Sequence, residues 1–326
     1  MPNLAVLRDP RCLPSELSRP VVAIGNFDGL HRGHRAVIDK TLALSRRLGR
    51  PAAILTFEPH PRDFFRPDTP VFRLTPLAEK ILVAETLGLD ALIVLGFDAE
   101  TARTSATSFV EEWLVARLNV AAVVIGKDFR FGARREGTAE LLAQEGARRG
   151  FHVEVLPEVA TSEALRVSSS AVRAALEAGD VARASELLGH RWFVMGEVRH
   201  GEKRGRSLGF PTANLRLDPS CRLRHGIYAV RALVDGLARH GVASFGRRPT
   251  FDNGAPLLEV FLLDFDGDLY GKSLIVEFVD WLRGEEKFES VEALVAQMRR
   301  DVLDAKRALG RMPPSAGMSI FQGQVA

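Results

Sequence analysis

Along residues 20–156, short apolar runs alternate with stretches whose apolar residues recur at helical spacing. Pro20–Gly25 (PVVAIG), Pro51–Phe57 (PAAILTF), Ala91–Leu95 (ALIVL), Ala121–Gly126 (AAVVIG) and Phe151–Leu156 (FHVEVL) read as strands. The stretches between them, near 33–47, 76–87, 106–117 and 137–149, read as helices. Continuous apolar strands separated by helices predict a parallel sheet covered on both faces. Such sheets bind ligands beyond the carboxyl ends of their strands, often at a helix N-terminus.

Ser168–Leu188 reads as two short helices, with Gly179 stopping the first, Asp180 capping the second and Gly189 ending it. Beyond this pair the period changes to two. Strands are predicted at Trp192–Val198, Gly226–Val234, Gly241–Phe245, Leu257–Phe265 and Ser273–Asp280, with hairpin signals at Asp235-Gly236 and Asp266-Gly267. A helix over Ser290–Leu309 places Val291, Leu294, Val295, Met298, Val302 and Leu309 on one face. The expected fold class is α/β: a Rossmann-like parallel sheet with helices on both faces, then a small antiparallel barrel or sandwich with a C-terminal helix. The expected domains are 1–185 and 186–309, ending in a flexible Gly/Pro/Ser-rich tail, 310–326.

Length agrees, because 326 residues exceed what one core usually organises. Cys12 and Cys221 are far apart and have no CxxC or Cys/His spacing, which argues against a zinc site or disulfide framework and fits a reducing cytoplasm. No apolar run approaches the ~20 residues needed to span a bilayer, and the first residues have no apolar signal core. The pI near 9.1 raises nucleic acid as a partner, yet 44 Lys and Arg stand against 41 Asp and Glu. The excess is local. Residues 201–250 carry ten basic and three acidic side chains; residues 251–300 carry five and eleven. A basic stretch preceding an acidic one suits a phosphorylated ligand with a metal, although solvated strand faces account for most single charges.

Two strings carry chemistry. Gly25-Asn26-Phe27-Asp28-Gly29-Leu30-His31-Arg32-Gly33-His34 follows the first strand and opens the first helix. Gly25 and Gly29 let the backbone turn tightly, and His31 and His34 share the face at the positive end of the helix dipole. Nucleotidyl transfer needs an anchored phosphate, a positioned acceptor and donors for the developing charge. A capping histidine pair and a metal pair are the competing readings. In the second half, Gly201 to Leu215 (GEKRGRSLGFPTANL) is a basic glycine loop leading to Pro-Thr-Ala-Asn. Such a loop can wrap a triphosphate, while Thr212 and Asn214 offer neutral oxygens to Mg²⁺.

Both strings resemble the bacterial bifunctional riboflavin kinase/FMN adenylyltransferases, whose N-terminal half belongs to the HxGH nucleotidyltransferases. Thr56-Phe57-Glu58-Pro59-His60-Pro61, Leu74-Thr75 with Glu79-Lys80, Ile125 to Gly132 and Arg166 to Arg173 extend the likeness over about residues 20–309. The resemblance implies that riboflavin and ATP give FMN in the C-terminal domain, and that FMN and ATP give FAD and pyrophosphate in the N-terminal one. It implies catalysis by His31 and His34, with Gly25, Phe27, Asp28, Arg166, Ser169, Ser170 and Arg173 also on ATP. Pro59, His60 and Asp128 would lie near FMN. In the kinase half, Gly201, Lys203, Gly205, Gly209, Pro211, Thr212 and Asn214 would bind ATP, with Thr212 and Asn214 on the metal. Glu259 would be the base and flavin contact, and Arg283 a second flavin contact.

Each residue also has a plainer reading: an N-cap for Ser168–Ser170, a loop cap for Asp128, a turn residue for His60, a solvated strand carboxylate for Glu259 and a surface ion pair for Arg283. Ser244-Phe245 and Phe261 depart from the family pattern (Asn-Ile before the Gly-x-x-Pro-Thr segment, and His after Glu-Val) and bear on flavin fit. The expected cofactor is Mg²⁺, with ATP as co-substrate and no permanently bound redox group. The expected partners are riboflavin, FMN, FAD and ATP, without nucleic acid or membrane, leaving room for a weak homo-oligomer. A transferase for another phosphate acceptor is disfavoured by the second domain. A non-catalytic flavin-binding regulator is disfavoured because every catalytic position is occupied. A nucleic-acid binder is disfavoured because only 7% of residues are aromatic.

Overall fold

A computed structural model describes residues 4–158, 167–201, 205, 208–247 and 256–312. The chain divides into two compact units. One comprises Met1–Val71 and Leu77–Ser168, the other Phe72–Pro76 and Ser169–Ala326.

The first unit is a six-stranded parallel sheet in the order β1-β4-β3-β2-β5-β6. Its strands are β1 (Ala5–Arg8), β2 (Val21–Ile24), β3 (Ala52–Glu58), β4 (Ala91–Gly96), β5 (Ala122–Gly126) and β6 (His152–Leu156). The helices are α1 (Arg32–Leu48), α2 (Pro61–Phe65), α3 (Leu77–Thr86), α4 (Ala106–Phe109) and α5 (Ala139–Arg149). α4 runs on as a π-helical stretch, Val110–Arg117. All four residues of β2 are buried, so that strand has no solvated face. The edge strands β1 and β6 have no buried residues. After β2 the chain adds β3 and β4 on one side, then returns to add β5 and β6 on the other. The carboxyl ends of β2 and β5 therefore flank a topological switch point, where open α/β sheets place ligands.

The second unit begins with α6 (Ser169–Ala178) and α7 (Val181–Leu188). The expected boundary at 185/186 falls within α7; in space both helices cluster with the period-two strands. Those strands are β7 (Phe193–Arg199), β8 (Thr212–Arg216), β9 (Gly226–Val234), β10 (Leu237–Arg247), β11 (Pro256–Leu262) and β12 (Ser273–Arg283), and α8 (Val291–Gly310) comes after them. The six strands form a closed antiparallel barrel in the order β10-β11-β8-β7-β12-β9. Closure removes the exposed edges that a sandwich would leave. Tyr228, Val230, Phe245, Leu258, Val260 and Phe278, each at most 1% exposed, are among the buried residues of these strands.

The short segment Phe72–Pro76 joins this unit through polar contacts. Arg173 Nε donates to Phe72 O (2.8 Å), Trp192 Nε1 to Leu74 O (2.9 Å) and Arg73 N to Ser220 Oγ (3.0 Å). Two strands are absent from the sequence reading. β1 is a four-residue edge strand, too short for a period to show. β8 lies in the Pro-Thr-Ala-Asn string, read on sequence for its chemistry, although its Thr-Ala-Asn-Leu-Arg alternation is a strand signal.

Candidate functional sites

In the first unit, the chain leaves β2 through a turn with unfavourable backbone. Phe27 and Leu30 have φ of 48° and 45°, and Gly29 has φ of 90°. The left-handed region thus falls on Gly29 and on two bulky residues. Gly25 is outside it, so that glycine is not demanded by the turn. Each non-glycine residue there costs roughly 1–2 kcal/mol. Such backbone persists only where its surroundings over-determine it. Phe27, Asp28 and Leu30 are accordingly buried, at 1%, 2% and 3% exposure.

His31 caps α1, and its Nδ1 accepts from His34 N at 3.3 Å. An accepting Nδ1 puts the neutral ring's proton on Nε2. The His31 and His34 rings stack with centroids 3.7 Å apart and planes within 12°. Gly33 leaves room beside the stack, since a Cβ there would press on the His31 ring at 3.1 Å from Cε1. His34 is held well below the usual histidine range, first by burial, then by the charges of His31 and Lys80. Its Nδ1 is buried without a hydrogen-bond partner. His34 therefore stands neutral near the positive end of a 17-residue helix. It can donate hydrogen bonds to an anion without fixed charge of its own.

The turn is tied to β3 and α3. Lys80 Nζ donates to Asn26 O (3.0 Å) and Thr56 Oγ1 (3.1 Å), and lies 3.5 Å from Glu58 Oε1. The sequence marks Glu79-Lys80 as part of the resemblance but assigns it no role. A lysine among Ile81, Val83 and Ala84 was the available signal. Beyond β3, Pro59 is exposed, and His60 caps α2 by accepting from Arg62 N at 3.1 Å. Asp128 is exposed on the loop after β5, with Oδ1 beside Gly126. Ser169 and Ser170 are the first residues of α6, in the second unit, and Arg173 lies on the same helix. Arg166 lies outside the described residues.

In the second unit, the candidate residues form a cross-strand row on the barrel's outer face. Asn214 pairs with Arg199 on one side and Glu259 on the other. Glu259 pairs with Ser244, Ser244 with Ile227, and Ile227 with Arg283. Directly opposed residues share a face, so register alone brings Asn214 and Glu259 side by side. Thr212, two residues earlier, shares that face. Ala213, Leu215, Leu258 and Val260 alternate with them and are buried.

Gly201 approaches this row closely. A Cβ on Gly201 would fall 2.6 Å from Asn214 Nδ2 and 2.7 Å from its Oδ1. On Gly205 it would fall 2.3 Å from Phe210 O. Phe210 N donates to Gly205 O at 2.8 Å. Gly209, with φ of 84°, supplies the turn into the exposed Pro211. Lys203 and Arg248 to Ala255 lie outside the described residues. Thr212 and Asn214 offer the neutral side-chain oxygens a hard cation takes, with Glu259 opposite Asn214 in the register. Arg283 makes a two-pronged ion pair with Asp301 of α8, with both N–O distances 2.7 Å. Its guanidinium pKa is pushed up by that pairing. Its sequence reading as an ion-pair residue thus has a partner; a flavin contact would share the same side chain.

A switch-point histidine site on a parallel sheet, joined in sequence to a barrel with an oxygen-lined outer row, defines a two-domain nucleotide-dependent transferase. The FAD synthetase family matches residues 13–171 and the riboflavin kinase family residues 188–309. The bifunctional riboflavin kinase/FMN adenylyltransferase of Pseudomonas fluorescens is 43% identical over 91% of this chain and 94% of its own. That of Bacillus subtilis is 35% identical over 94% and 98%. The chain belongs to the family of bifunctional riboflavin kinase/FMN adenylyltransferases. A solved structure from Streptococcus pneumoniae, described as a macrolide-efflux protein, superposes with a TM-score of 0.82 at 29% identity, covering 93% of this chain and 99% of that one. Among the described residues here, no helix is long and apolar enough to cross a membrane.

Proposed function

We propose that the two activities of this family member divide between these two sites. The protein is a riboflavin kinase and an FMN adenylyltransferase: it phosphorylates riboflavin to FMN with ATP, then adenylylates FMN to FAD. The observation that carries the assignment is the Asn214–Glu259 pairing, which sets a carboxylate beside the Thr212 and Asn214 oxygens.

In the kinase, Glu259 accepts the proton of the flavin 5′-hydroxyl as that oxygen attacks the γ-phosphorus of ATP and ADP leaves. Gly201, Lys203, Gly205, Gly209 and Pro211 form the loop around the triphosphate. Thr212 and Asn214 would hold Mg²⁺, which when bound neutralises phosphate charge. In the adenylyltransferase, the FMN phosphate attacks the α-phosphorus and pyrophosphate leaves. His31 and His34 donate to the charge that develops. Gly25, Phe27 and Asp28 shape the turn beside it. Arg166, Ser169, Ser170 and Arg173 serve the phosphates of ATP, and Pro59, His60 and Asp128 serve the FMN acceptor. The functional boundary is placed near residue 185, consistent with the interval between the two family matches. The protein works in the cytoplasm.

Incubation of purified protein with riboflavin and Mg-ATP, with chromatography of the flavins over time, tests the whole scheme. FMN rises first and FAD comes after it. Formation of neither flavin by folded protein refutes it.

A further inference from the structure

Lys80 is 1% exposed. An ammonium so deep in a fold is retained only where it is paired and hydrogen-bonded. Its oxygen partners include Asn26 O in the turn after β2, and Thr56 Oγ1 and Glu58 Oε1 at the end of β3. Thr56 Oγ1 also donates to Asn26 O at 3.1 Å. Hydroxyl and ammonium thus converge on one carbonyl. That carbonyl directly precedes Phe27, the first residue forced into left-handed backbone. From this turn the chain enters α1 and presents the stacked histidines.

We infer that Lys80 is the positioning residue of the adenylyl-transfer site, locking the Asn26 turn from which His31 and His34 are presented. The inference rests on the reading that the histidine pair serves adenylyl transfer.

A second consequence is electrostatic. Lys80 opposes protonation of His34, together with burial and His31. Other charged groups lie on and around α1: Arg32 follows His31 directly, and Arg46 and Arg47 sit in the last turn. Arg35 pairs with Asp39 at 2.7 Å, and Lys40 pairs with Glu154 of β6 at 2.8 Å. Glu58 of β3 faces Lys80. Asp28 on the turn and Glu79 on α3 are buried. β5 carries no titratable residue before Lys127 and Asp128.

The test uses the full chain with Lys80→Met, Lys80→Arg and Thr56→Val. FMN adenylylation is measured from about pH 5.5 to 8.5, with riboflavin phosphorylation as the internal control. Lys80→Met lowers kcat for adenylylation about 10- to 100-fold at the alkaline end, the loss expected for a misplacement near 1 Å. KM for ATP and FMN stays nearly constant. The acidic limb of the profile moves to higher pH, because one charge opposing His34 protonation is gone. Lys80→Arg recovers part of the rate and returns the limb. Thr56→Val lowers kcat several-fold, by about the loss of one hydrogen bond, without moving the limb.

A Lys80→Met enzyme with parental kcat, or with the same fractional loss at every pH, overturns the proposal. If Lys80→Met does not fold, parental kcat in Thr56→Val overturns it. Were His31→Ala to leave adenylylation intact, the reading of the site itself would fail, whatever Lys80 does.

Discussion

The histidine pair of the first unit is fixed by a strained, buried turn, whereas the Asn214–Glu259 pair of the second is fixed by strand register. The first device needs neighbours to hold Phe27 and Leu30 in left-handed backbone, and a Gly33 that leaves space for the His31 ring. The second needs only that β8 and β11 pair as they do, since a one-residue slip would send Glu259 to the apolar interior. A loop-and-helix site is therefore exposed to distant packing changes. A register site is exposed mainly to loss of the functional group itself.

The sharpest way to break this comparison is Glu259→Ala. Loss of a general base costs about 10²–10⁴ in rate. FMN formation from riboflavin should fall by that amount while FMN adenylylation persists, both monitored by flavin chromatography. His31→Ala should do the reverse, lowering adenylylation about 10²–10³-fold, the loss typical of one anion-stabilising donor. If either change silences both activities in folded protein, the division between sites is wrong.

Arg283 tests whether register alone confers function, since it ends the same cross-strand row. Its pair with Asp301 is largely buried, with side chains 17% and 6% exposed. Arg283→Met should then destabilise the second unit by about 3 kcal/mol, because Asp301 loses its charge partner. Thermal unfolding reads this directly. An unchanged Tm with a raised KM for riboflavin would instead assign Arg283 to flavin.

The smallest effect concerns pH. His34 titrates below its unfolded range, so below about pH 6.5 the unfolded chain binds the proton more readily than the folded one. Stability should therefore fall as pH drops from that point toward the folded pKa, and remain flat above it. His34→Gln should remove this dependence, measured by denaturant titration across that range.

Several features were legible because they repeat locally. The strands β2 to β6 showed as apolar runs, and α8 showed as a helix, although its buried residues are Asp301, Ala305, Ala308 and Leu309, while Val291 of the expected stripe is 55% exposed. Gly179, Asp180 and Gly189 bounded the two short helices as caps do, with Asp180 Oδ1 accepting from Arg183 N at 2.8 Å. The histidine motif and the Pro-Thr-Ala-Asn string stood out because their residue types suit anions and hard cations. Other features depended on distant chain. Nothing in the sequence around Lys80 says that Asn26 and Thr56 will meet it. Nothing around Arg283 names Asp301, and nothing in Phe72–Pro76 announces that it joins the barrel unit.

The sequence by itself determined the alternation of strand and helix, the change to period two, and which side chains could carry phosphate chemistry. Those derive from local periodicity and residue chemistry, which act over a few residues. Only the tertiary structure decided that the barrel closes, that Glu259 stands beside Asn214, and that a buried lysine clamps the histidine turn. These depend on register and on desolvation. Both are settled when remote segments pack, because a charge or a strained backbone is tolerated only where its partners arrive.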